Sequence, residues 1–412
     1  MTLVRLALQN YQCFAQRQEV EIRPITVVFG KNNSGKSALV RSPLVIATGM
    51  HGLSPVPLDL AELGEDAPDF IDLVHNRLDH GSVGIELEFR EPIRCSWTIQ
   101  NVIESQTQVV SRCRIDVRGE SATFTWSDAD DTDESEERPY YVSGPGKASD
   151  EPIGVRFSGL IPEHDFVRGR EIKEAFGEIR HLGPFRTRPA RLGRLTARRP
   201  AQDQFGSRTA EILIHDHVRS RGRLIGKINE YLGDHLPDWR LEVIPRYDAY
   251  AVGLKSLKAR NLWVSAADSG TGVAQVLPIL VQRAQDELDR PADDILEIVE
   301  EPELHMHPSA QAALADLYIR AVHKTRVRFL IETHSETFLL RLRRRVAEKR
   351  LRADELALYY VESDGEASTV QRVNVDEAGN VYDWPDEIFA ENFEEVRAMT
   401  EAQTERLDTD AR

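Results

Sequence analysis

Gly30-Lys31-Asn32-Asn33-Ser34-Gly35-Lys36-Ser37 is the segment whose residue types and spacing point most directly to chemistry. Its two glycines let the backbone wrap closely enough to aim N–H groups at phosphate oxygens. Lys36 can carry a point charge to the outer phosphates of a nucleotide, and the Ser37 hydroxyl suits Mg²⁺. A helix starting here adds the positive end of its dipole to the same anion. Gly30, Asn32, Asn33, Ser34, Gly35, Lys36, Ser37 and Ala38 are therefore the expected phosphate cradle.

Carboxylates come next. The run Ile295-Leu296-Glu297-Ile298-Val299-Glu300-Glu301-Pro302-Glu303 reads as a buried strand that delivers acids at its C-terminal end. Beside a phosphate loop, Glu300 would hold Mg²⁺ through water. Glu301 would orient the attacking water, with Glu303 the weaker candidate for that role. An edge strand ending in a solvated acidic turn has the same pattern, so the segment gains meaning from its companions. One companion is Asp268-Ser269-Gly270-Thr271-Gly272, a glycine turn before a helix and a second phosphate-sized anion site through Ser269, Gly270 and Gly272. By itself it reads as a helix cap. The other is Ile331-Glu332-Thr333-His334-Ser335, where His334 can contact and sense a γ-phosphate.

Positioning these groups requires strands that end together. ITVVF (25–29) is apolar and β-branched, as a buried parallel strand should be, and a helical stretch follows the loop. Residues 294–300 and 327–332 read as further buried strands, with helices at 272–288, 309–323 and 335–350. Strand-like runs at 3–9, 82–118, 239–264, 356–362 and 368–374 complete a mixed α/β pattern, and 208–232 reads as helical. Five regions are expected: an ATPase lobe with an antiparallel sheet over 1–125, an acidic flexible loop over 126–151, a helical and β insertion over 152–265, a second ATPase lobe over 266–385, and an acidic helical tail over 386–412.

The formal charge of -16 argues against a general nucleic-acid coat, so any DNA contact needs a local basic patch. The clusters at 186–199 and 341–352 have the charge for it, although so acidic a chain favours helix faces paired to acids. No apolar run is long enough to span a membrane, and the N-terminus lacks the sections of a signal peptide. Cys13, Cys95 and Cys113 are too scattered for a disulfide framework or a zinc site, which points to reduced thiols and a cytoplasmic setting.

The order of the four motifs resembles ABC-type P-loop ATPases: Walker A, signature, Walker B, H-switch. Within that class the chain is similar to the RecF/SMC branch, and above all to standalone OLD-like ATPases. The likeness lies in LVRLALQNYQCFAQRQEVEIRPITVVFGKNNSGKSAL, EEPELHMHP, SGTGVAQVLPIL, and HLGPFRTRPAR with Arg186 after its Gly-Pro turn. NVYDWPDEIF resembles the short Trp-Pro ending of one uncharacterised subfamily. The resemblance covers roughly residues 3–50 and 180–390. It implies an ABC-type head with a mixed central sheet flanked by helices, an antiparallel β subdomain and a helical insertion. It also implies ATP and Mg²⁺ as ligands, and hydrolysis in a dimer or higher even oligomer, where one copy's loop faces the other's signature. Glu300 stands where the wider class has Asp. The Q-loop residue is open, with Gln100 a candidate by order and His75 another.

OLD nucleases add a metal-dependent domain of roughly 100 residues after the ATPase. The stretch beyond His334 carries no Asp-x-Asp pair on a buried strand, so no nuclease is expected in this chain. The expected function is a nucleotide-driven dimerisation switch in antiphage defence or DNA repair, working with a separate effector. A self-contained DNA-processing enzyme and a nonenzymatic ATP-binding scaffold are the competing readings.

Overall fold

Three strands of mostly buried residues build the frame on which the site depends. In the computed structural model, which describes residues 3–51, 54–65, 67–102, 107–128, 137–382, 384 and 399, the chain opens with β1 (Leu3–Gln9), β2 (Gln18–Glu21), β3 (Ile25–Gly30) and α1 (Lys36–His51). A short α2 (Phe70–Leu73) leads to β4 (Ser82–Phe89), β5 (Ile93–Val102), β6 (Thr107–Val117), β7 (Glu120–Trp126), β8 (Glu137–Gly144), β9 (Lys147–Ala148), β10 (Ile153–Ser158) and β11 (Ile161–Pro162). There follow α3 (Gly169–Phe176), β12 (Glu178–Leu182), α4 (Thr209–Arg219), α5 (Arg223–His235), β13 (Trp239–Arg246), β14 (Ala249–Ser256) and β15 (Trp263–Ser265). The chain then runs through α6 (Thr271–Asp289), β16 (Ile295–Glu300), α7 (Pro308–Lys324), β17 (Val327–Glu332), α8 (Glu336–Ala347), β18 (Leu356–Ser363) and β19 (Ser368–Val373).

The central sheet has the order β12-β16-β17-β3-β18-β19. Every pairing in it is parallel except β18 with β19. β17 thus lies between the phosphate-loop strand β3 and the acid strand β16. Side chains alternate across β3 with the period of two that a strand imposes. Ile25, Val27 and Phe29 face a core shared with α4–α8, and Val28 faces a second core shared with α1 and the antiparallel strands. Each such residue, fully buried, contributes roughly 1.5–3 kcal/mol. Helices on one face and a second sheet on the other explain why these strands read as continuous apolar runs.

The second sheet runs β11-β10-β8-β7-β6-β5-β4-β1-β2, with β9 on β8. A third, β13-β14-β15, stands with the helical insertion α4–α5. The fold is therefore the expected mixed α/β arrangement: a mostly parallel central sheet, flanking helices and an antiparallel β subdomain.

The acidic region differs from the expectation of one loop over 126–151. Glu137–Gly144 is β8, paired with β7 and β10, and it buries Tyr140 and Val142. Polar neighbours mask this alternation in the sequence. The antiparallel sheet continues through β10 and β11 past residue 152, and β12 closes the central sheet, so the stretch 152–265 is shared among all three sheets. The expected helical tail from 386 onward lies outside the described residues, Met399 excepted.

Candidate nucleotide site

The loop between β3 and α1 is shaped by its glycines. A side chain at Gly30 would place its Cβ 2.3 Å from the Val361 carbonyl oxygen. Gly35 has φ +98°, and a Cβ there would lie 2.3 Å from Cys13 Sγ. Asn33 adopts φ 60°, within the left-handed reach of asparagine. α1 begins at Lys36, so its free N–H groups and positive dipole end face the loop. Pro43 inside α1 cannot bond the Leu39 carbonyl, and the Ser42 hydroxyl donates to that oxygen instead at 2.7 Å.

Lys36 Nζ donates to the Lys31 carbonyl oxygen at 2.7 Å, which curls the side chain back over the loop. Burial lowers its pKa, against the opposing pull of Glu332 and Glu301. Ser34 is buried, and Asn32 and Asn33 are exposed at the loop's tip.

Parallel register brings the acids to the same edge. Glu300 pairs with Glu332 across β16 and β17, and Glu332 pairs with Val28 of β3. In α/β sheets the carboxyl ends of the strands form the ligand crevice. Here that edge holds Lys36, Ser37, Glu300, Glu301, Glu332 and His334.

Glu300 is buried and fully engaged. Arg41 of α1 donates to it through two bonds, Nε to Oε1 at 2.8 Å and Nη2 to Oε2 at 2.6 Å. His181 Nε2 donates to Oε1 at 2.6 Å. Burial opposes ionisation of this carboxyl, but the bonds from His181 and Arg41 outweigh it and hold its pKa below the usual range. Its neighbour Glu301 has φ 41°, a conformation costing a non-glycine residue of order 1–3 kcal/mol. Three bonds hold it there. Glu301 N–H donates to the Glu332 carbonyl at 2.8 Å, and Arg186 Nη2 donates to the carbonyls of Glu300 at 2.7 Å and Glu301 at 3.3 Å. Glu301 Oε1 lies 3.8 Å from His334 Nε2.

His334 is kept neutral: burial and the nearby Lys36 charge push its pKa down to about 4. Glu303, the weaker water-orienting candidate, is buried instead beneath the turn that carries His334. Its Oε1 accepts from Thr333 Oγ1 at 2.6 Å and from His334 N–H at 2.8 Å, so it shapes the loop that carries the histidine. Burial raises its pKa despite those bonds. Ser335 caps α8 by accepting from Phe338 N–H at 2.9 Å.

Ser269, Gly270 and Gly272 stand at the start of α6, where Gly270 is the N-cap. Ser269 Oγ donates to the Ala266 carbonyl at 2.8 Å and its N–H to Ser265, so these bonds stay within the turn. A Cβ on Gly272 would sit 3.0 Å from the His305 carbonyl oxygen. The turn thus packs against the segment after the acid strand. A second link joins the same helix to that strand. Gln275 Nε2 donates to the Arg186 carbonyl at 2.9 Å, and its Oε1 accepts from Arg186 N–H at 3.3 Å. Arg186 in turn holds the Glu300 and Glu301 carbonyls.

Arg186 is only 3% exposed, so it cannot take a DNA phosphate as the 186–199 cluster suggested. Elsewhere in that cluster Arg191 pairs with Asp268, Arg194 with Asp248 and Arg199 with Asp289. In the 341–352 cluster Arg341 and Arg345 hold Asp316, Arg344 holds Glu348, and Arg352 holds Asp354. Pairing to acids is the prevailing arrangement. Gln100 lies on β5, paired with Ser82 and Val109 of its neighbours, and makes no part of this edge. His75 bonds through Nδ1 to the Gln12 carbonyl at 2.8 Å, beside the turn whose Cys13 touches Gly35.

Three participants were missed from the sequence: Glu332, Arg41 and His181. Glu332 sits within the quoted IETHS segment, and only strand register shows which way its carboxylate points. Ser37 Oγ donates to Glu332 Oε1 at 3.0 Å. Burial pushes this carboxyl up to about 7 against the Ser37 bond, and the charges of Glu300 and Glu301 add to the rise. Donor chemistry at this edge fits Mg²⁺. A hydroxyl and carboxylate oxygens suit a hard cation, and Glu332 Oε2 is buried without a hydrogen-bond partner. Ligand atoms of Glu301, Glu332 and His334 lie within 4.8 Å of one another, the one such group among the described residues. No helix among the described residues is long and apolar enough to cross a membrane.

Residues 224–339 match the family described as AAA ATPase domain, and residues 351–399 match a protein family of unknown function, DUF3696. No curated protein matches the chain. Similar solved structures include an SMC head domain from Thermotoga maritima, at 12% identity and TM-score 0.42, covering 91% of this chain and 100% of that one. An SmcHead bound to the C-winged helix domain of ScpA aligns at 14% identity and TM-score 0.47, covering 92% and 99%. An Smc head domain with an extended coiled coil, bound to the C-terminal domain of ScpA derived from Pyrococcus furiosus, aligns at 11% and 0.46, covering 96% and 99%.

Proposed function

We propose that the chain hydrolyses ATP to ADP and phosphate at this edge, and that two copies close on the nucleotide as a switch. The observation that carries this reading is the convergence of Lys36, Ser37, Glu301, Glu332 and His334 at the ends of β3, β16 and β17. In it the loop N–H groups and Lys36 bind the phosphates, with Ser34, Asn32, Asn33 and Ala38 completing the cradle. Glu301 accepts a proton from water as the water oxygen bonds to the γ-phosphorus, and the bond to the β-phosphate oxygen breaks with its electron pair leaving on ADP. Mg²⁺, when bound, would neutralise charge on the β- and γ-phosphates. His334, neutral at physiological pH, donates a hydrogen bond to the γ-phosphate.

Ser269, Gly270 and Gly272 make up the signature turn, which acts on a second copy's γ-phosphate. Support comes from the glycine N-cap of α6 and from the two bonds of Ser269, which stay within the turn. Turnover is slow, because each cycle serves to switch the dimer between closed and open states. The order of motifs and the OLD-like resemblance support a role as sensor in antiphage defence or DNA repair, with a separate effector protein. Steady-state turnover of Mg²⁺-ATP by the wild-type chain and by Glu301→Gln tests the reading. Turnover that falls at least about 100-fold in the variant, with ATP binding retained, supports it. Equal turnover in both proteins overturns it.

A further inference from the structure

The acid at the end of β16 is the position from which a cation-holding carboxylate was expected, yet its oxygens are already taken. Glu300 receives three hydrogen bonds, two from Arg41 and one from His181, all between 2.6 and 2.8 Å. Arg41 lies on α1, the helix that opens with the phosphate loop. A cation bound to Glu300 would sit against a guanidinium whose charge repels it.

One strand closer to the loop, the situation is reversed. Ser37 Oγ, the loop's own cation ligand, donates to Glu332 Oε1 at 3.0 Å. Glu332 is 4% exposed, and its Oε2 has no hydrogen-bond partner. A buried carboxylate oxygen without a partner costs free energy until something positive binds it. One of its carboxylate oxygens lies within 4.8 Å of a ligand atom of Glu301 and of His334, so the carboxylate belongs to the same reaction edge.

We infer that Glu332, with Ser37, is the carboxylate that holds the divalent cation, and that Glu300 instead locks α1 and His181 to the end of the acid strand. This inference rests on the nucleotide-site reading above. It moves the cation from β16 to β17, beside β3, and makes the strand that carries His334 responsive to metal. A Mg²⁺-sized ion prefers few protein oxygens and keeps several waters, which matches one hydroxyl and one carboxylate.

The test is the metal enhancement of nucleotide affinity, the ratio of affinities for fluorescent AMP-PNP with Mn²⁺ and with EDTA. It is measured for wild type, Glu332→Gln, Glu300→Gln and Ser37→Ala, each checked for a cooperative thermal transition. Glu332→Gln and Ser37→Ala are expected to cut the enhancement at least about 10-fold. Glu300→Gln is expected to leave the enhancement within about 3-fold. Should Glu332→Gln fail to fold, Ser37→Ala and Glu332→Asp carry the comparison. Loss confined to Glu300→Gln overturns the inference while leaving the nucleotide site intact. Absence of nucleotide binding by the wild type overturns both.

Discussion

Ser37 Oγ and Glu332 Oε1, 3.0 Å apart, join the phosphate loop to the strand that ends in His334. Because Glu332 is buried near Glu300 and Glu301, ionising it in the folded chain is costly, and its carboxyl rises from 4.5 to about 7. A carboxyl raised by folding takes up protons between those two values. Its contribution to stability is complete below the unfolded value and is lost as pH climbs through about 7. Glu332→Gln removes the cost of ionisation. In EDTA the variant should melt about 2–5 °C above wild type at pH 8, an effect of up to ~3 kcal/mol, and the difference should vanish near pH 4.5. Thermal melts at the two pH values check this. An equal gain at both would assign the effect to packing.

Lys36 is held over the loop by a single bond to the Lys31 carbonyl. Burial already disfavours its charge in the nucleotide-free chain. Lys36→Ala should therefore weaken ATP binding by about 10- to 100-fold without lowering the melting temperature of the free protein. Fluorescent-nucleotide titration and a melt are sufficient to check it. A folded variant with unchanged affinity would remove the lysine from the site.

Arg186 couples α6 to the end of the acid strand β16. It bonds Gln275 through its backbone and the Glu300 and Glu301 carbonyls through its guanidinium. Arg186→Met keeps most of the buried bulk and removes the donors that hold Glu301 at φ 41°. Turnover should fall about 10-fold or more, while nucleotide affinity stays within about 3-fold. Equal losses in both would point to a collapse of the fold around the site.

Beneath the same strand, Arg283 is buried against Glu297 and Asp286, with its guanidinium 4.6 Å from the Phe329 ring centroid. Arg283→Ala takes the ion-pair partner from buried Glu297 and leaves Asp286 with Arg180 alone. The expected loss is about 3–5 kcal/mol in chemical denaturation. A loss under about 1 kcal/mol would mean that Arg180, which also reaches Asp286, carries the pair alone.

The loop strand β3, the acid strand β16 and β17 before His334 were legible because each pairs a motif with a continuous apolar run. ITVVF, ILEIV and VRFLI are buried on both faces, and such strands leave a strong imprint on sequence. β8 was not legible, since Tyr140 and Val142 alternate within an acidic, Gly/Pro-bearing stretch. The roles of Glu300 and Glu332 could not be separated either. Which carboxylate meets Ser37 depends on β17 lying between β16 and β3, and on Arg41 and His181 reaching Glu300 from distant positions. No local pattern encodes those contacts. The basic clusters illustrate the same limit in part: Asp268 and Asp316 become partners only once distant segments are brought together, whereas Arg344 and Glu348 are a local i,i+4 pair.

The claim that two copies close on ATP is tested most directly by the solution mass of Glu301→Gln, measured by light scattering with and without Mg²⁺-ATP. The account predicts that ATP doubles the mass of a monomeric species or tightens a preformed dimer against dilution, and that Ser269→Arg abolishes the effect. A mass unchanged by ATP across the dilution series, in a variant that binds ATP, would contradict it.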